Sequence, residues 1–306
     1  MWNQSLENKL INIIPEERIF RDEPMYKHTT FKVGGPAKRF VTIARESELV
    51  ALIDLCEEEN VEYYLLGNGS NLLVSDAGID GLCIEIGSSF KNISCQNGII
   101  SASSGTLLSV VAKAAYDRGL TGLEFAAGIP GSVGGAMVMN AGAYGGEMKD
   151  VVKSVRVYDK VSKKIIVLDN DEMCFGYRTS AAKQNGYVVL SADFSLKEGV
   201  AEDIKSLMDE LAKKRREKQP LEYPSAGSTF KRPAGFYAGK LIEDSNLKGY
   251  SVGGAQVSEK HAGFIINKNN AKAIDIYRLI REVQEQVFAD SGVRLETEVV
   301  MLGDFF

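Results

Sequence analysis

Two glycine-dense loops, Gly67-Asn68-Gly69-Ser70-Asn71 and Gly128-Ile129-Pro130-Gly131-Ser132-Val133-Gly134-Gly135, lie in a stretch of chain almost empty of positive charge. Residues 61–112 hold one basic side chain, Lys91, and residues 119–148 hold none. Glycine lets a chain turn with φ above zero and lets amides approach a ligand with no Cβ in the way. Successive N–H dipoles in such a loop supply the field that lysine or arginine would otherwise give an anion. Glycine without cations therefore predicts a phosphate held by backbone amides. The flanking pattern restricts the fold further. A strand over 61–66 runs into the first loop and Leu72-Leu73-Val74 continues extended, so the order is strand, loop, strand. A Rossmann-type dinucleotide site needs a helix to open directly after its glycines, and residues 72–81 offer none.

The remaining pattern is mixed. Ser47 is placed to cap a helix whose apolar positions Leu49, Leu52, Ile53 and Cys56 recur at i, i+3, i+4 and i+7. Asn97-Gly98 between apolar runs reads as a hairpin turn. Leu107, Val110, Val111, Ala114 and Ala115 mark a helix over 106–118 that Gly119 ends. Pro130-Gly131-Ser132 reads as a helix start. Strands are expected over 151–158, 165–168 and 187–196, then a helix over 202–219 with Ile204, Leu207, Met208 and Leu211 on one face. Its basic end, Lys213, Lys214, Arg215, Arg216 and Lys218, reads as a solvated face that complements the helix dipole. Gln219-Pro220 stops that helix. Beyond it, residues 264–266 read as a strand, Ile274 to Val287 as a helix, and residues 293–299 as an alternating strand with Glu296 and Glu298 on its polar face. The fold class is α+β.

Composition narrows the function. A chain of 306 residues suggests two or three domains, and 44% hydrophobic with 25% charged residues suggests an ordinary globular protein. A net charge of −5 with no basic tail argues against nucleic acid as the main partner. Residues 1–20 mix Leu6, Leu10, Ile11 and Ile14 with Glu7, Lys9, Glu16 and Glu17, unlike a signal peptide, and no apolar run could span a bilayer. The cytoplasm is the expected compartment, with no membrane partner. Cys56, Cys83, Cys95 and Cys174 stand far apart without CxxC spacing, so each is read as a small buried hydrophobe. With two histidines, His28 and His261, no metal site is expected.

Further motifs appear in order. They are residues 28–37 (HTTFKVGGPA), Asn140-Ala141-Gly142-Ala143-Tyr144-Gly145, Gly176-Tyr177-Arg178, residues 226–233 (AGSTFKRP) and Leu295-Glu296-Thr297-Glu298-Val299. Together with the two glycine loops they cover almost the whole chain, and the set resembles the UDP-N-acetylenolpyruvoylglucosamine reductases of bacterial cell-wall synthesis. The resemblance implies a two-part FAD-binding region of the vanillyl-alcohol-oxidase (PCMH) type over residues 1–70 and 71–219. A smaller α+β substrate-binding domain follows over 220–306. It implies noncovalent FAD bound by Gly67, Asn68, Gly69, Ser70, Asn71, Gly128, Ile129, Pro130, Gly131, Ser132, Gly134, Gly135 and Gly142. NADPH is the implied reductant, a UDP-sugar enolpyruvyl ether the substrate, and a monomer the expected state. His28 is read as a polar loop residue and not as a flavin attachment point.

Hydride addition to an enolpyruvyl double bond leaves negative charge that needs a cation and then a proton. In the resembling family Arg178 matches the charge-stabilising arginine, Ser228 the proton donor and Glu298 the third catalytic position. Outside that context Arg178 is an ordinary ion-pairing residue, Ser228 a turn residue and Glu298 a solvated carboxylate, and strand alternation gives Glu296 an equal claim. Tyr144 and Tyr177 read equally as core aromatics or as substrate contacts. Lys231 and Arg232 are candidate cations for the UDP diphosphate, although free surface charge is the plainer reading of Lys231. Nine residues separate Arg178 from Val188, too few for the tyrosine-bearing insertion of one subclass, so the shorter subclass is expected. Two other readings stay open: a flavin enzyme of this fold with another substrate, such as an oxidase, and a nucleotide-binding module without a reaction. Rapid reoxidation by air would mark the first and colourless protein the second.

Overall fold

The computed structural model describes residues 4–305 except Ser88. The chain divides into two compact units, the first formed by residues 1–20, 41–68 and 83–214, the second by 21–40, 69–82 and 215–306.

In the first unit a five-stranded antiparallel sheet runs in the order Lys164–Asp169, Val152–Asp159, Val188–Ser195, Ile99–Ser103, Ile93–Gln96. Alternation sends Val155, Val157, Ala192 and Phe194 into the core, and a register shift beside Arg156 brings Val189 in with them. Asn97 and Gly98 join the last two strands with φ of 51° and 73°, the left-handed pair that a two-residue hairpin requires. Helix Leu108–Tyr116 buries Leu108, Val111, Ala112 and Ala115, one stripe of the 3.6-residue repeat. The short helix Val133–Met139 packs on Val188–Ser195 with Val133, Ala136 and Met137 buried, which seats the second glycine loop on the sheet. Each apolar side chain withdrawn from water in this core contributes roughly 1.5–3 kcal/mol, so sheet packing holds that loop more firmly than its own bonds could.

Helix Glu46–Glu58 is tied down electrostatically. The Arg18 guanidinium donates to both Glu48 oxygens at 2.8 Å, and the Ala44 amide and Arg45 Nε donate to the same carboxylate at 2.8 and 3.0 Å. Hydrogen bonding from Arg18, opposed by burial and aided by Ala44 and Arg45, lowers the Glu48 carboxyl from 4.5 to about 2. A depressed carboxylate stabilises the fold above its unfolded value and loses that contribution as pH falls toward the folded one. The lowering corresponds to about 3 kcal/mol at neutral pH. Glu48→Gln should therefore lower stability by about 2–3 kcal/mol at pH 7 and by much less near pH 2, as read from urea unfolding at both pH values.

In the second unit, strands Ser251–Val252, Ala255–Val257 and Ile265–Asn267 form an antiparallel sheet. Helix Ala273–Ser291 covers it with Ile276, Leu279, Ile280, Val283 and Val287 and stops at Gly292, φ 71°. The Asp76 carboxylate accepts from the amides of Ala273 and Ile274, satisfying two donors at the helix start. Strand Leu72–Val74 pairs in parallel with Val300–Leu302.

Several expectations change. Helix Glu46–Glu58 begins before Ser47, which therefore does not cap it, and helix Leu108–Tyr116 leaves the expected Leu107 and Val110 exposed. Residues 293–299 do not make a regular strand: a single bridge joins Thr297 to Phe230, because the partner segment runs into Pro233, which has no N–H to extend a ladder. Helix Ala201–Lys218 buries only Ile204, and Leu207 is 41% exposed. At the basic end of that helix the Lys260 ammonium donates to the Arg216 carbonyl at 2.7 Å, supplying one of the partners that terminal carbonyls lack. Cys56 and Cys83 are buried, whereas Cys95 is half-buried and Cys174 is exposed in a turn at φ 45°.

Candidate functional site

The first glycine loop leaves its donors free. The amides of Gly67, Asn68, Gly69, Ser70 and Asn71 meet no acceptor among the described residues, and neither do those of Gly131, Ser132 and Gly135. In the first unit the loops are fastened together by side chains instead. The Asn68 side-chain Nδ2 donates to the Pro130 carbonyl at 2.7 Å. A Cβ on Gly67 would stand 2.4 Å from Ser132 Oγ, and one on Gly134 would stand 2.9 Å from Ser104 Cβ. The unpaired amides suit the diphosphate of a dinucleotide, and the absence of lysine and arginine from residues 119–148 leaves backbone dipoles as the local positive field of the second loop.

Arg178 sits in a two-residue turn of the same unit. Gly176 and Thr179 exchange backbone hydrogen bonds at 3.1 and 3.3 Å across Tyr177 and Arg178, and Arg178 takes φ 56°. That region is costly for a long side chain and is usually left to glycine or asparagine. The guanidinium carbon lies 5.0 Å from the Tyr177 ring centre, and Tyr177 is 53% exposed. Tyr144 occupies a second such turn: Gly142–Ala143 pairs with Gly146–Glu147, with φ of 55° at Tyr144 and 91° at Gly145. Gly142 is obligatory there, since a Cβ would come within 2.8 Å of the Gly146 carbonyl oxygen. Tyr177 and Tyr144 are therefore exposed turn residues and not core aromatics.

Ser228 and Glu298 belong to the second unit, where the chain brings their segments side by side. The Glu298 amide donates to the Thr229 carbonyl at 2.8 Å, and the Lys231 amide to the Glu296 carbonyl at 2.8 Å. Thr229 is anchored in turn by its amide to the Gly263 carbonyl and by its hydroxyl, which accepts from the Ile265 amide. Ser228 and Glu298 are half-buried, while Glu296 is exposed and paired with Lys231 Nζ at 2.9 Å, a contact that lowers the Glu296 carboxyl. Of the two glutamates, Glu298 is thus the more enclosed group. Lys231 is not a free charge. The Arg232 guanidinium carbon stands 4.0 Å from the Tyr237 ring centre.

Two asparagines carry connections that no short-range pattern indicated. The Asn71 side-chain Nδ2 donates to the Glu298 backbone carbonyl at 3.0 Å, and the Asn71 backbone carbonyl accepts from the Val300 amide. Buried Asn140, given no role on sequence grounds, joins three segments of the first unit. Its only sequence signal is an asparagine immediately after a helical run, where left-handed φ is common.

The fold and the two amide-lined loops define a flavin-binding protein. Residues 37–167 match a family described as an FAD binding domain, and residues 219–302 match the C-terminal domain of UDP-N-acetylenolpyruvoylglucosamine reductase. A UDP-N-acetylenolpyruvoylglucosamine reductase of Clostridioides difficile is 51% identical over 99% of this chain and 100% of its own length. One from Caldanaerobacter subterraneus is 50% identical over 98% of each. The crystal structure of the Thermus caldophilus reductase superposes with a TM-score of 0.79 at 36% identity, covering 94% of this chain and 99% of that one. Alkyldihydroxyacetonephosphate synthase, 12% identical with a TM-score of 0.50 over 65% of this chain and 41% of that one, shares the fold alone. The chain belongs to the UDP-N-acetylenolpyruvoylglucosamine reductase family, FAD-dependent oxidoreductases of peptidoglycan precursor synthesis, and its FAD-binding region is of the PCMH type. Among the described residues no helix is long and apolar enough to cross a membrane.

Proposed function

We propose that this chain, a cytoplasmic monomer, reduces the enolpyruvyl ether of UDP-N-acetylglucosamine-enolpyruvate to UDP-N-acetylmuramate with NADPH as reductant. Residues 1–70 and 71–219 bind noncovalent FAD through the two glycine loops and Gly142, and residues 220–306 bind the sugar nucleotide. FAD, when bound, supplies two-electron chemistry, accepting hydride from NADPH and delivering it to the enolpyruvyl carbon. The residues of the chain manage what hydride addition leaves on the substrate. The Arg178 guanidinium stabilises the enolate-like charge spread over the neighbouring carbon and carboxylate. The Ser228 hydroxyl gives its proton to that carbon, which is basic enough to take it from an alcohol. Glu298 orients the intermediate or Ser228. Tyr144 and Tyr177 pack beside the substrate. Arg232 and Lys231 meet the diphosphate, Lys231 exchanging its Glu296 partner to do so.

The observation that carries this reading is the backbone of Arg178. Holding a non-glycine residue at φ 56° costs on the order of 1–3 kcal/mol, and such strain concentrates where function requires a fixed direction. The test is an anaerobic titration. NADPH should bleach the flavin absorbance, and the enolpyruvyl sugar nucleotide should restore it mole for mole. Flavin that stays bleached with the nucleotide and recovers at once in air would instead indicate an oxidase.

The first loop gives a separate prediction. Gly69 has φ 59°, and a Cβ there would stand 1.9 Å from the His28 carbonyl oxygen, a backbone atom that cannot rotate away. Gly69→Ala should weaken FAD binding by about tenfold or more through strain of this size. The flavin-to-protein ratio after dialysis, set against the thermal midpoint of the apoprotein, reads it out. A variant holding FAD as tightly as the parent would remove this loop from the cofactor site.

A further inference from the structure

We propose that Asn140 is a positioning residue for the reduction of the enolpyruvyl substrate, clamping through one buried amide the two strained turns that present Arg178 and Tyr144. The inference rests on the functional reading of Arg178 given above.

Asn140 follows helix Val133–Met139 at φ 46° and is 1% exposed. Ending a helix in the left-handed region requires no side chain, and glycine does it best. Yet the Asn140 amide is used on both sides. Nδ2 donates to Glu147 Oε2 at 2.7 Å and to the Gly176 carbonyl at 3.2 Å, and Oδ1 accepts from the Lys149 amide at 3.0 Å. Glu147 closes the Tyr144 hairpin, and Gly176 opens the Arg178 turn. The bond to Glu147 is charge-assisted, and the other carboxylate oxygen is neutralised by Lys149 Nζ at 2.5 Å. The second arm of the Arg178 turn is also fastened to this helix, for Ser180 Oγ donates to the Val138 carbonyl at 2.9 Å. The helix that opens at the second glycine loop therefore grips both arms of the Arg178 turn, and Asn140 is the grip on its leading arm. Three non-glycine residues with positive φ, Asn140, Tyr144 and Arg178, share this one cluster. A turn with that strain relaxes once an arm is released, and the guanidinium moves with it.

The test is made on the FAD-loaded protein with separated half-reactions. Asn140→Gly tolerates the left-handed backbone and removes the side chain with its amide. It should retain FAD at the parental ratio and be reduced by NADPH within about threefold of the parental rate. Its limiting rate of flavin reoxidation by the enolpyruvyl sugar nucleotide should fall about 10²-fold, the scale expected of a displacement near 1 Å. The decisive measurement is the double variant. If Asn140 acts through Arg178, adding Asn140→Gly to Arg178→Lys should cost no more than about threefold further, whereas a merely structural role predicts the full penalty again. Asn140→Asp offers a second route, because it preserves shape and left-handed tolerance while setting two carboxylates against each other. The pair Asn140→Asp/Glu147→Gln restores the contact to residue 147 but leaves the Gly176 carbonyl without its donor, so its reoxidation should stay as slow as that of Asn140→Gly, and recovery to the parental rate would count against the grip on the Arg178 turn. Parental reoxidation by Asn140→Gly, or a fully additive double variant, would overturn the assignment with the proposed function intact. A parent protein that the sugar nucleotide cannot reoxidise would overturn both.

Discussion

Ser228→Ala should be reduced by NADPH at nearly the parental rate and yet be reoxidised by the enolpyruvyl sugar nucleotide about 10³-fold more slowly, the range that loss of a positioned general acid produces. The asymmetry follows from where a proton is required. Hydride transfer to the cofactor needs no proton at the substrate carbon, whereas completing the lactyl ether does. The change is also structurally mild. Ser228 is half-buried beside Gly227, which holds φ 75°, and its neighbour Thr229 carries the hydrogen bonds that fix the segment. Removing one oxygen leaves those bonds in place. Stopped-flow traces of the two half-reactions, with solvent deuterium to mark the protonation step, separate the outcomes. Equal slowing of both halves would mean that Ser228 shapes the site without donating the proton.

Arg178→Lys should leave FAD content and reduction by NADPH unchanged and slow reoxidation by the sugar nucleotide about 10²-fold, comparable with removing one donor from a charge-stabilising site. Lysine keeps a positive charge and a long unbranched stem, and an ammonium can still rest against the Tyr177 ring. The backbone cost at φ 56° is then shared by both proteins. What disappears is the planar fork that can meet a carboxylate and a developing enolate together, so the loss should fall on the limiting rate more than on the Michaelis constant. Unchanged turnover would remove Arg178 from the mechanism.

Much of this was readable along the chain. Local rules act within a few residues, so a helix within 106–118, the Asn97-Gly98 hairpin and the stop at Gly292 were expected and are present, although that helix buries Leu108, Val111, Ala112 and Ala115 and leaves Leu107 and Val110, two of the expected stripe, exposed. Where the pattern misled, tertiary pairing had intervened. Residues 293–299 alternate as a strand should, but ladder formation depends on a partner, and that partner ends at Pro233. Leu207 completes a helical stripe, yet nothing covers it enough to bury it.

The sequence by itself determined the class of element at most positions, the glycine loops without neighbouring cations, and the family, because these rest on residue type and short spacing. Tertiary structure alone decided that the Asn71 amide meets the carbonyl of Glu298, 227 residues away, that Lys231 is spent on Glu296 while Glu298 stays enclosed, and that Asn140 binds two turns into one device. The reason is physical: a hydrogen bond or ion pair depends on distance in space, and a single side chain carries no record of which distant carbonyl folding will bring to it.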